Sequence, residues 1–278
     1  FFSAHPFANI DFPLQFFSKL FKLKRIALIH SWDNLTSKFR MHFDYDKLLV
    51  WNDILKKQAK YIYGYKKNKV KVVGIPNLDD FSNIKLKKRN SFLKENKLDP
   101  KKRLITIFST TEQYIPHMEE LIGEILEMNE KDCFIKKSQI WVRIHPTSRF
   151  DINKFKKYKK TKFQFPPQSF TALSYNNIGN YKIENIFYGN LIYHSDIVIS
   201  FYSTTILDSV FFNKPIVNPL IDKYKNKCSF CNQASYVNNW SHMKEIKKTG
   251  GITFVKNINN LKKKINHYFL NKNSNSVG

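Results

Sequence analysis

The chain has 278 residues, 42% of them hydrophobic and 15% aromatic, and it carries a formal net charge of +25. This length and composition exclude a largely disordered chain and indicate one large folded domain or two small ones. The charge indicates an anionic partner (nucleic acid, an anionic membrane surface or a phosphate-bearing substrate) or else a lysine-rich bias of the source genome. Because the lysines are spread along the whole chain without a nucleic-acid-binding motif, we expect no nucleic-acid partner.

The three cysteines are not arranged as in disulfide-rich proteins or metal sites. Cys133, Cys228 and Cys231 are too few for a disulfide framework, which favours a reducing cytoplasm. Cys228 and Cys231 form a single Cys-x-x-Cys pair, so a zinc site would need ligands from elsewhere, such as His242, and we expect no metal. The sequence has no run of about 18 apolar residues that could cross a membrane. We therefore expect a cytoplasmic protein, either free or peripheral on the inner face of the cell membrane.

Residues 1–76 are predicted to begin with a helix and to continue as a small parallel sheet. The aromatic-rich residues 1–24 end in a basic helix at 16–24, which we expect to pack on the following domain, with a membrane surface as the alternative. β-rich and helical patterns then alternate, which is typical of parallel α/β sheets. The predicted elements are strands at 25–30, 47–51 and 70–74 and a helix at 52–63.

The polar, lysine-rich residues 77–101 are interpreted as a linker that contains a helix at 88–96. A second α/β alternation follows, which predicts a second Rossmann-like domain at 102–256. Residues 257–278 are predicted to form a terminal helix, able to pack back on the first domain, and a tail. The elements predicted in between are strands at 103–108, 139–144, 162–165, 196–200, 215–218 and 252–255, and helices at 116–128, 152–158, 184–193 and 204–212.

Polar residues follow three predicted strands of the second domain. In a parallel sheet the carboxyl ends of the strands meet at one edge, where ligands bind. Hydroxyl, guanidinium and imidazole groups at such an edge suit a nucleotide diphosphate, although a single Ser or Thr at a helix start is more often only an N-cap. The residues concerned are Ser109 and Thr110, Arg143 and His145, and Ser203, Thr204 and Thr205.

The turn at Ser203–Thr205 is the most informative of the three. It is predicted to lie at a helix N-terminus, where free backbone N–H groups favour a phosphate. Asp208, one turn further on, is predicted to bind a ribose hydroxyl. His145 stands at a strand end before a proline, where an imidazole either makes a structural hydrogen bond or stabilises a departing phosphate.

A loop in the first domain, directly after the strand at 25–30, carries a second set of polar groups. Asp33 can act there as a general base, and Lys38 can orient or neutralise an anionic group. The alternative is a turn closed by Asp33 or Asn34, with Trp32 as a packing anchor.

These motifs, in this order, resemble a bacterial family of cell-surface polymer transferases, similar to CDP-glycerol glycerophosphotransferase-like and related GT-B glycosyltransferases. The resemblance covers roughly residues 25–255. It depends on Ser31–Lys38, Val50–Asn52 and Val72–Asp79 in the first half, and on Arg143–Pro146, Asp196–Thr205 and Lys214–Ile216 in the second.

The resemblance implies an α/β GT-B fold of two Rossmann-like domains with a cleft between them. The first domain, 1–76, would lie on the acceptor side and is incomplete, because the family's opening strands are missing from it. The second would bind the nucleotide donor. The resemblance also implies that Ser203, Thr204 and His145 contact the donor phosphates, with Arg143 nearby, and that neither a metal nor a cofactor takes part.

The loop at Asp33 departs from the glycerophosphotransferase pattern. In those enzymes it has a His with a Lys five residues later, and alignment on Lys38 places Asp33 at that His. This difference favours a sugar transferase with a carboxylate base.

We therefore expect an inverting, metal-independent glycosyltransferase that moves a sugar from a nucleotide-sugar donor to a glycan or lipid-linked acceptor in capsule, lipopolysaccharide or similar synthesis. Asp33 and His145 are the expected catalytic residues, and Trp32, Asn34 and Lys38 are expected on the acceptor side. The alternatives are a CDP-polyol donor, as in a glycerophosphotransferase, and a non-catalytic nucleotide-binding remnant. A nucleotide-sugar epimerase is disfavoured because no acidic catalytic cluster is evident.

Overall fold

The computed structural model describes residues 1–38, 40–166, 178–222 and 239–271. Backbone contacts divide the chain into two compact units, unit 1 (Phe1–Asp79) and unit 2 (Asp80–Gly278). Each contains one parallel sheet, which confirms the prediction of two parallel α/β sheets.

The sheet of unit 1 has four parallel strands in the order β1-β2-β3-β4. Its buried face is built from short apolar side chains in register, Ala27 opposite Leu48 and Leu48 opposite Val70. The strands are β1 (Phe2–Ser3), β2 (Ile26–Leu28), β3 (Lys47–Val50) and β4 (Val70–Val72). The helices are α1 (Phe12–Leu20), α2 (Asn34–Ser37), α3 (Asp53–Tyr63) and α4 (Pro76–Ser82), the last of which runs on into unit 2.

Two features of unit 1 differ from the prediction. Strand β1 is not predicted, because two residues are too few to show an alternating pattern. Helix α1 contacts the unit through Gln15 and Ser18, whereas its Phe and Leu side chains are exposed. The predicted basic helix therefore does pack on the domain, but through polar side chains.

The sheet of unit 2 has six parallel strands in the order β10-β9-β8-β5-β6-β7, which is the Rossmann order. The strands are β5 (Arg103–Phe108), β6 (Ser138–Arg143), β7 (Thr161–Gln164), β8 (Ile197–Ser200), β9 (Ile216–Pro219) and β10 (Thr253–Val255). The helices are α5 (Arg89–Glu95), α6 (Met118–Glu130), α7 (Ile178–His194), α8 (Thr205–Phe211), α9 (Ser241–Lys248) and α10 (Ile258–Leu270).

Strand β5 shows why this sheet is covered on both faces. Ile105 and Ile107 enter a core built against α6 and α10, and Leu104 and Phe108 enter a second core built against α5 and α7. Alternate side chains of a strand point to opposite faces, so the apolar run of β5 stabilises both layers and places the strand at the centre of the unit.

Three predicted helices of unit 2 can be compared with the structure. The helix predicted at 88–96, within the segment interpreted as a linker, is α5 (Arg89–Glu95), and its Phe92 and Leu93 are buried in a core of unit 2. The terminal helix α10 is present, and it buries Leu261, Ile265 and Phe269 in a core of unit 2. The helix expected at 152–158 is a short 3-10 turn, Ile152–Phe155.

Candidate functional site

A cavity of about 340 Å³ lies at the carboxyl ends of β5, β6 and β8 in unit 2. From β5 the chain continues to β6 and β7 on one side of the sheet, and from β8 it continues to β9 and β10 on the other side. The boundary between β5 and β8 is therefore the topological switch point, where α/β sheets bind ligands. The cavity is lined by Phe108, Ser109, Arg143, Ile144, His145, Pro146, Pro166, Glu184, Asn185, Tyr188, Ser203, Thr204, Thr205 and Asp208. The three predicted turns therefore contribute to one cavity.

His145 is held at the cavity by two local interactions. Its backbone N–H donates to Ser109 Oγ at 2.8 Å, and its Nδ1 accepts from the backbone N–H of Thr147 at 3.3 Å. An imidazole whose Nδ1 accepts carries its proton on Nε2. Burial lowers the pKa of His145, and the nearby Glu112 carboxylate opposes this only in part. The residue therefore presents a neutral ring with an Nε2–H donor.

Arg143 has a partner that the sequence analysis missed. Its Nη2 donates to Glu184 Oε1 in a buried ion pair, and its Nη1 is buried with no hydrogen-bond partner among the described residues. Burial raises the pKa of Glu184, and Arg143 opposes that rise. The guanidinium thus has one nitrogen paired with a carboxylate and one buried nitrogen without a partner among the described residues.

Tyr188 connects the turn after β8 to Asp208, and it too was missed. Its hydroxyl donates to Asp208 Oδ2 at 2.8 Å and contacts Thr205 Oγ1 at 3.1 Å. Burial raises the pKa of Asp208 to about 6, with the tyrosine hydrogen bond acting in the opposite direction. Asp208 is therefore a carboxyl group that titrates near neutrality in the wall of the cavity.

The turn at Ser203–Thr205 differs from the predicted cradle of free N–H groups. The N–H of Thr205 donates to Ser203 Oγ at 3.3 Å, and that of Leu207 donates to Thr204 O at 2.9 Å. Helix α8 has only seven residues, so its dipole is small. The side chains of Ser203 and Thr204, rather than a helix end, are what the turn offers to the cavity.

Thr110 does not line the cavity, in contrast to the prediction. It is 4% exposed, and its backbone N–H points to Met118 Sδ at 3.1 Å. The turn after β5 directs Thr110 toward α6, whereas Ser109 stays at the strand end.

In unit 1 a cavity of about 450 Å³ lies at the carboxyl ends of β1 and β2. Asp33 lies in its wall, with Oδ1 accepting from the Ser31 hydroxyl at 2.5 Å and Oδ2 from the Ser37 hydroxyl at 2.6 Å. These two bonds fix the orientation of the carboxylate. The lining residues are Ala4, His5, Phe7, Ala8, His30, Ser31, Asp33, Asn34 and Lys38.

The loop also forms the structural turn that was the alternative interpretation. Asn34 Oδ1 accepts from the backbone N–H of Ser31 at 3.0 Å, and Trp32 is 8% exposed and does not line the cavity. The two interpretations are therefore compatible, since the turn places Asp33 and Lys38 at the same cavity.

His5 and His30 are the polar groups of this cavity that the sequence analysis did not single out. Their ring centroids are 5.0 Å apart. Burial and the neighbouring His5 lower the pKa of His30, and Asp33 opposes this effect. His5 lies two residues after the end of β1, and His30 lies two residues after the end of β2. A prediction of the short strand β1 would therefore have placed both imidazoles at the same edge of the sheet.

Among the described residues no group of three or more His, Cys, Asp or Glu side chains could hold a metal ion. Cys228 and Cys231 lie outside the described residues. In the same part of the chain, no helix combines the length and the apolarity needed to cross a bilayer.

No protein-family model matches the sequence, and no curated protein does so either. Solved structures do match the fold. A putative UDP-N-acetylglucosamine 2-epimerase from Listeria monocytogenes has a TM-score of 0.64 at 12% identity, over 98% of this chain and 66% of that one. A glycosyltransferase from Rickettsia africae has a TM-score of 0.50 at 14% identity, over 92% and 63%. The wall teichoic acid polymerase TagF, solved as its H444N variant with CDPG, has a TM-score of 0.50 at 12% identity, over 88% and 53%.

The chain thus spans between about half and two thirds of the length of these structures. At such low identity the likeness concerns the fold alone. On that basis, this chain has the GT-B-type fold, with two Rossmann-like α/β units.

Proposed function

We propose that this protein is an inverting glycosyltransferase that uses a nucleotide-sugar donor, and that the donor binds in the cavity of unit 2. The observation that carries the proposal is the convergence of Arg143, His145, Ser203 and Thr204 on one cavity at the switch point of a Rossmann sheet. The proteins of similar fold include one named for UDP-N-acetylglucosamine and one solved with CDPG, which supports a nucleotide-linked donor.

The diphosphate of the donor would meet four polar groups. The Nε2–H of His145, the unpaired Nη1 of Arg143 and the hydroxyls of Ser203 and Thr204 donate to its oxygens, and they stabilise the charge that develops as the sugar leaves. Ser109 acts through His145, since its Oγ holds the backbone N–H of that residue. Asp208, oriented by Tyr188, would accept a hydrogen bond from a ribose hydroxyl.

Unit 1 would supply the groups that act on the acceptor. Asp33 takes the proton of the acceptor hydroxyl, whose oxygen attacks the anomeric carbon as the bond from that carbon to the diphosphate breaks. Inversion and release of the nucleoside diphosphate follow. Lys38 and Asn34 lie beside Asp33 in the same cavity and would orient a glycan or lipid-linked acceptor. We propose surface-glycan synthesis at the inner face of the membrane as the setting, with no metal or cofactor.

The binding test uses calorimetry with UDP-, GDP- and CMP-sugars and with CDP-glycerol. We expect one nucleotide class to bind, and the double variant Ser203→Ala, Thr204→Ala to bind it at least tenfold more weakly. Ser91→Ala, an exposed serine on α5, is the matched control and should bind like the wild type. If the double variant binds the nucleotide as tightly as the wild type, the donor does not bind in the cavity of unit 2.

The activity test follows nucleotide release and sugar identity in the same assay. Release of a nucleoside diphosphate with transfer of the sugar supports the glycosyltransferase. Release of CMP from CDP-glycerol identifies a glycerophosphotransferase, isomerisation of the sugar without release identifies an epimerase, and binding without turnover identifies a nucleotide-binding remnant.

A further inference from the structure

Helix α1 of unit 1 has its polar and apolar sides reversed relative to an ordinary surface helix. The side chains that face the unit are Gln15 and Ser18, which are buried. Surface helices normally bury their apolar stripe and expose the polar one. Here the outward side chains, including those of the residues just after the helix, are apolar and between 43% and 67% exposed: Phe12, Leu14, Phe16, Phe17, Leu20, Phe21 and Leu23.

The rings of Phe12, Phe16, Phe17, Phe21 and Phe43 form a contiguous row. Together with the exposed Leu14, Leu20 and Leu23 they make up what we call the aromatic face. Neighbouring rings along the helix lie in contact, with centroid distances of 6.4 Å for Phe12–Phe16, 5.6 Å for Phe16–Phe17 and 6.3 Å for Phe17–Phe21. Phe43 extends the row beyond the helix, 5.6 Å from Phe12. Scattered apolar side chains on a surface need no explanation, but a continuous exposed patch marks a contact with an apolar partner.

Lysines border the aromatic face and have no carboxylate partner among the described residues. Lys19, Lys22 and Lys24 are all exposed, and Lys19 Nζ lies 5.2 Å from the Phe43 ring. The one carboxylate within residues 1–25 is Asp11, which accepts a hydrogen bond from the Ser3 hydroxyl at 2.7 Å. The partner of this face is therefore apolar in its interior and anionic at its rim.

We infer that α1 and the residues Phe21–Lys24 lie in the interface of an anionic lipid bilayer. The Phe and Leu side chains enter the acyl region, and the lysines reach the lipid phosphates, as in other interfacial amphipathic helices. None of the described helices is long and apolar enough to cross a bilayer, so the contact is with one leaflet. A second copy of the same face fits less well, because its lysines would face the lysines of the first copy.

The experiment is flotation of the full chain with vesicles of phosphatidylcholine alone or mixed with phosphatidylglycerol. We expect binding to the mixed vesicles, at least tenfold weaker binding to phosphatidylcholine alone, and further weakening in 0.5 M salt because the lysine contribution is screened. The test variant is Phe17→Ser, Leu20→Ser, Phe21→Ser, which should lose at least nine tenths of the bound fraction. All three positions are exposed, so we expect an unchanged melting temperature.

The matched control removes equally exposed apolar side chains from unit 2. Ile183 and Leu270 are 68% and 67% exposed, and the variant Ile183→Ser, Leu270→Ser should float like the wild type. A second test variant, Lys22→Glu, Lys24→Glu, keeps the aromatic face and should lose the preference for anionic vesicles.

Three results would overturn the inference. Absence of wild-type binding to mixed vesicles is the first. Equal binding of the Phe17, Leu20, Phe21 variant would assign the attraction to the general positive charge of the chain. A dimer in sedimentation velocity that this variant abolishes, without any lipid binding, would show that the aromatic face joins two copies of the chain.

Discussion

Arg143 and Glu184 form an ion pair in the wall of the unit 2 cavity, with side-chain exposures of only 8% and 10%. The residue expected to neutralise a donor phosphate is therefore already paired with a carboxylate. A diphosphate that reaches Arg143 must share it with Glu184 and must tolerate that negative charge. Glu184, which comes from α7 and not from a strand end, would thus limit how strongly the cavity attracts anions.

The first prediction concerns Glu184→Gln. Removal of the carboxylate leaves Arg143 buried without a counter-charge, which we expect to lower the free energy of unfolding by about 3 kcal/mol. The same change frees the guanidinium for a phosphate, so affinity for the nucleoside diphosphate should rise. Urea unfolding and calorimetry measure the two effects. Glu127→Gln, which removes an exposed carboxylate paired with Lys131, should change neither; a stable variant with unchanged affinity would contradict the role given to the pair.

The second prediction concerns Asp208 and pH. The pKa of Asp208 is raised to about 6, so the carboxyl takes up a proton as the pH falls through that value. Its neutral form accepts hydrogen bonds from a ribose hydroxyl less well than the carboxylate does. In a His145→Gln background, affinity for a nucleotide sugar, whose diphosphate does not titrate in this range, should therefore fall as the pH drops from 7.5 to 5. Adding Asp208→Asn should abolish the dependence, and a slope that survives it would assign the titration to another group.

The third prediction is a pH effect of the opposite sign at His145. Because the pKa of His145 is lowered, the ring is neutral at pH 7 and gains its second proton only below pH 6.5. The positive ring attracts phosphate more strongly, so in an Asp208→Asn background the affinity for a nucleotide sugar, whose diphosphate keeps its charge in this range, should rise as the pH falls below that value. Calorimetry at several pH values measures it. If His145→Gln leaves the rise in place, the imidazole is not at the phosphate subsite.

The fourth prediction distinguishes the candidate bases of unit 1. Asp33→Asn keeps the shape of the side chain but removes its ability to take a proton, and we expect a loss of about 10²- to 10⁴-fold in kcat with unchanged UDP affinity. His30→Gln and His5→Gln are the matched variants in the same cavity and should cost less. A larger loss in His30→Gln than in Asp33→Asn would make the imidazole the base.

The amino-acid sequence predicts those parts of the molecule in which the local residue pattern and the chemistry of the side chains indicate the same structure. The apolar run Leu104–Phe108 is typical of a buried strand. Arg143 and His145 stand at a strand end, and the polar groups that follow the strands of a parallel sheet lie at one edge of it. The helix predicted at 88–96 is present as α5, but its packing through Phe92 and Leu93 against unit 2 depends on partners elsewhere in the chain and was not predicted.

Residues that acquire a role only through distant partners could not be predicted. Glu184 lies in a helix with no local sign of function, and it becomes significant because the fold places it against Arg143, 41 residues earlier. Tyr188 likewise gains its role from Asp208, 20 residues later. His5 was missed because it follows a strand of two residues.

The position of β8 beside β5 has a consequence for the order of folding. Ile105 pairs with Ile197, and strands β6 and β7 come between these two residues in the chain. Such a distant pairing requires a long loop to close before it gains any stability. Because Ser109 follows β5 and Ser203 follows β8, the cavity that both residues line is complete only when β8 has paired with β5. A nucleotide bound in this cavity would therefore stabilise the pairing of β8 with β5, and its effect on the melting temperature would report on that pairing.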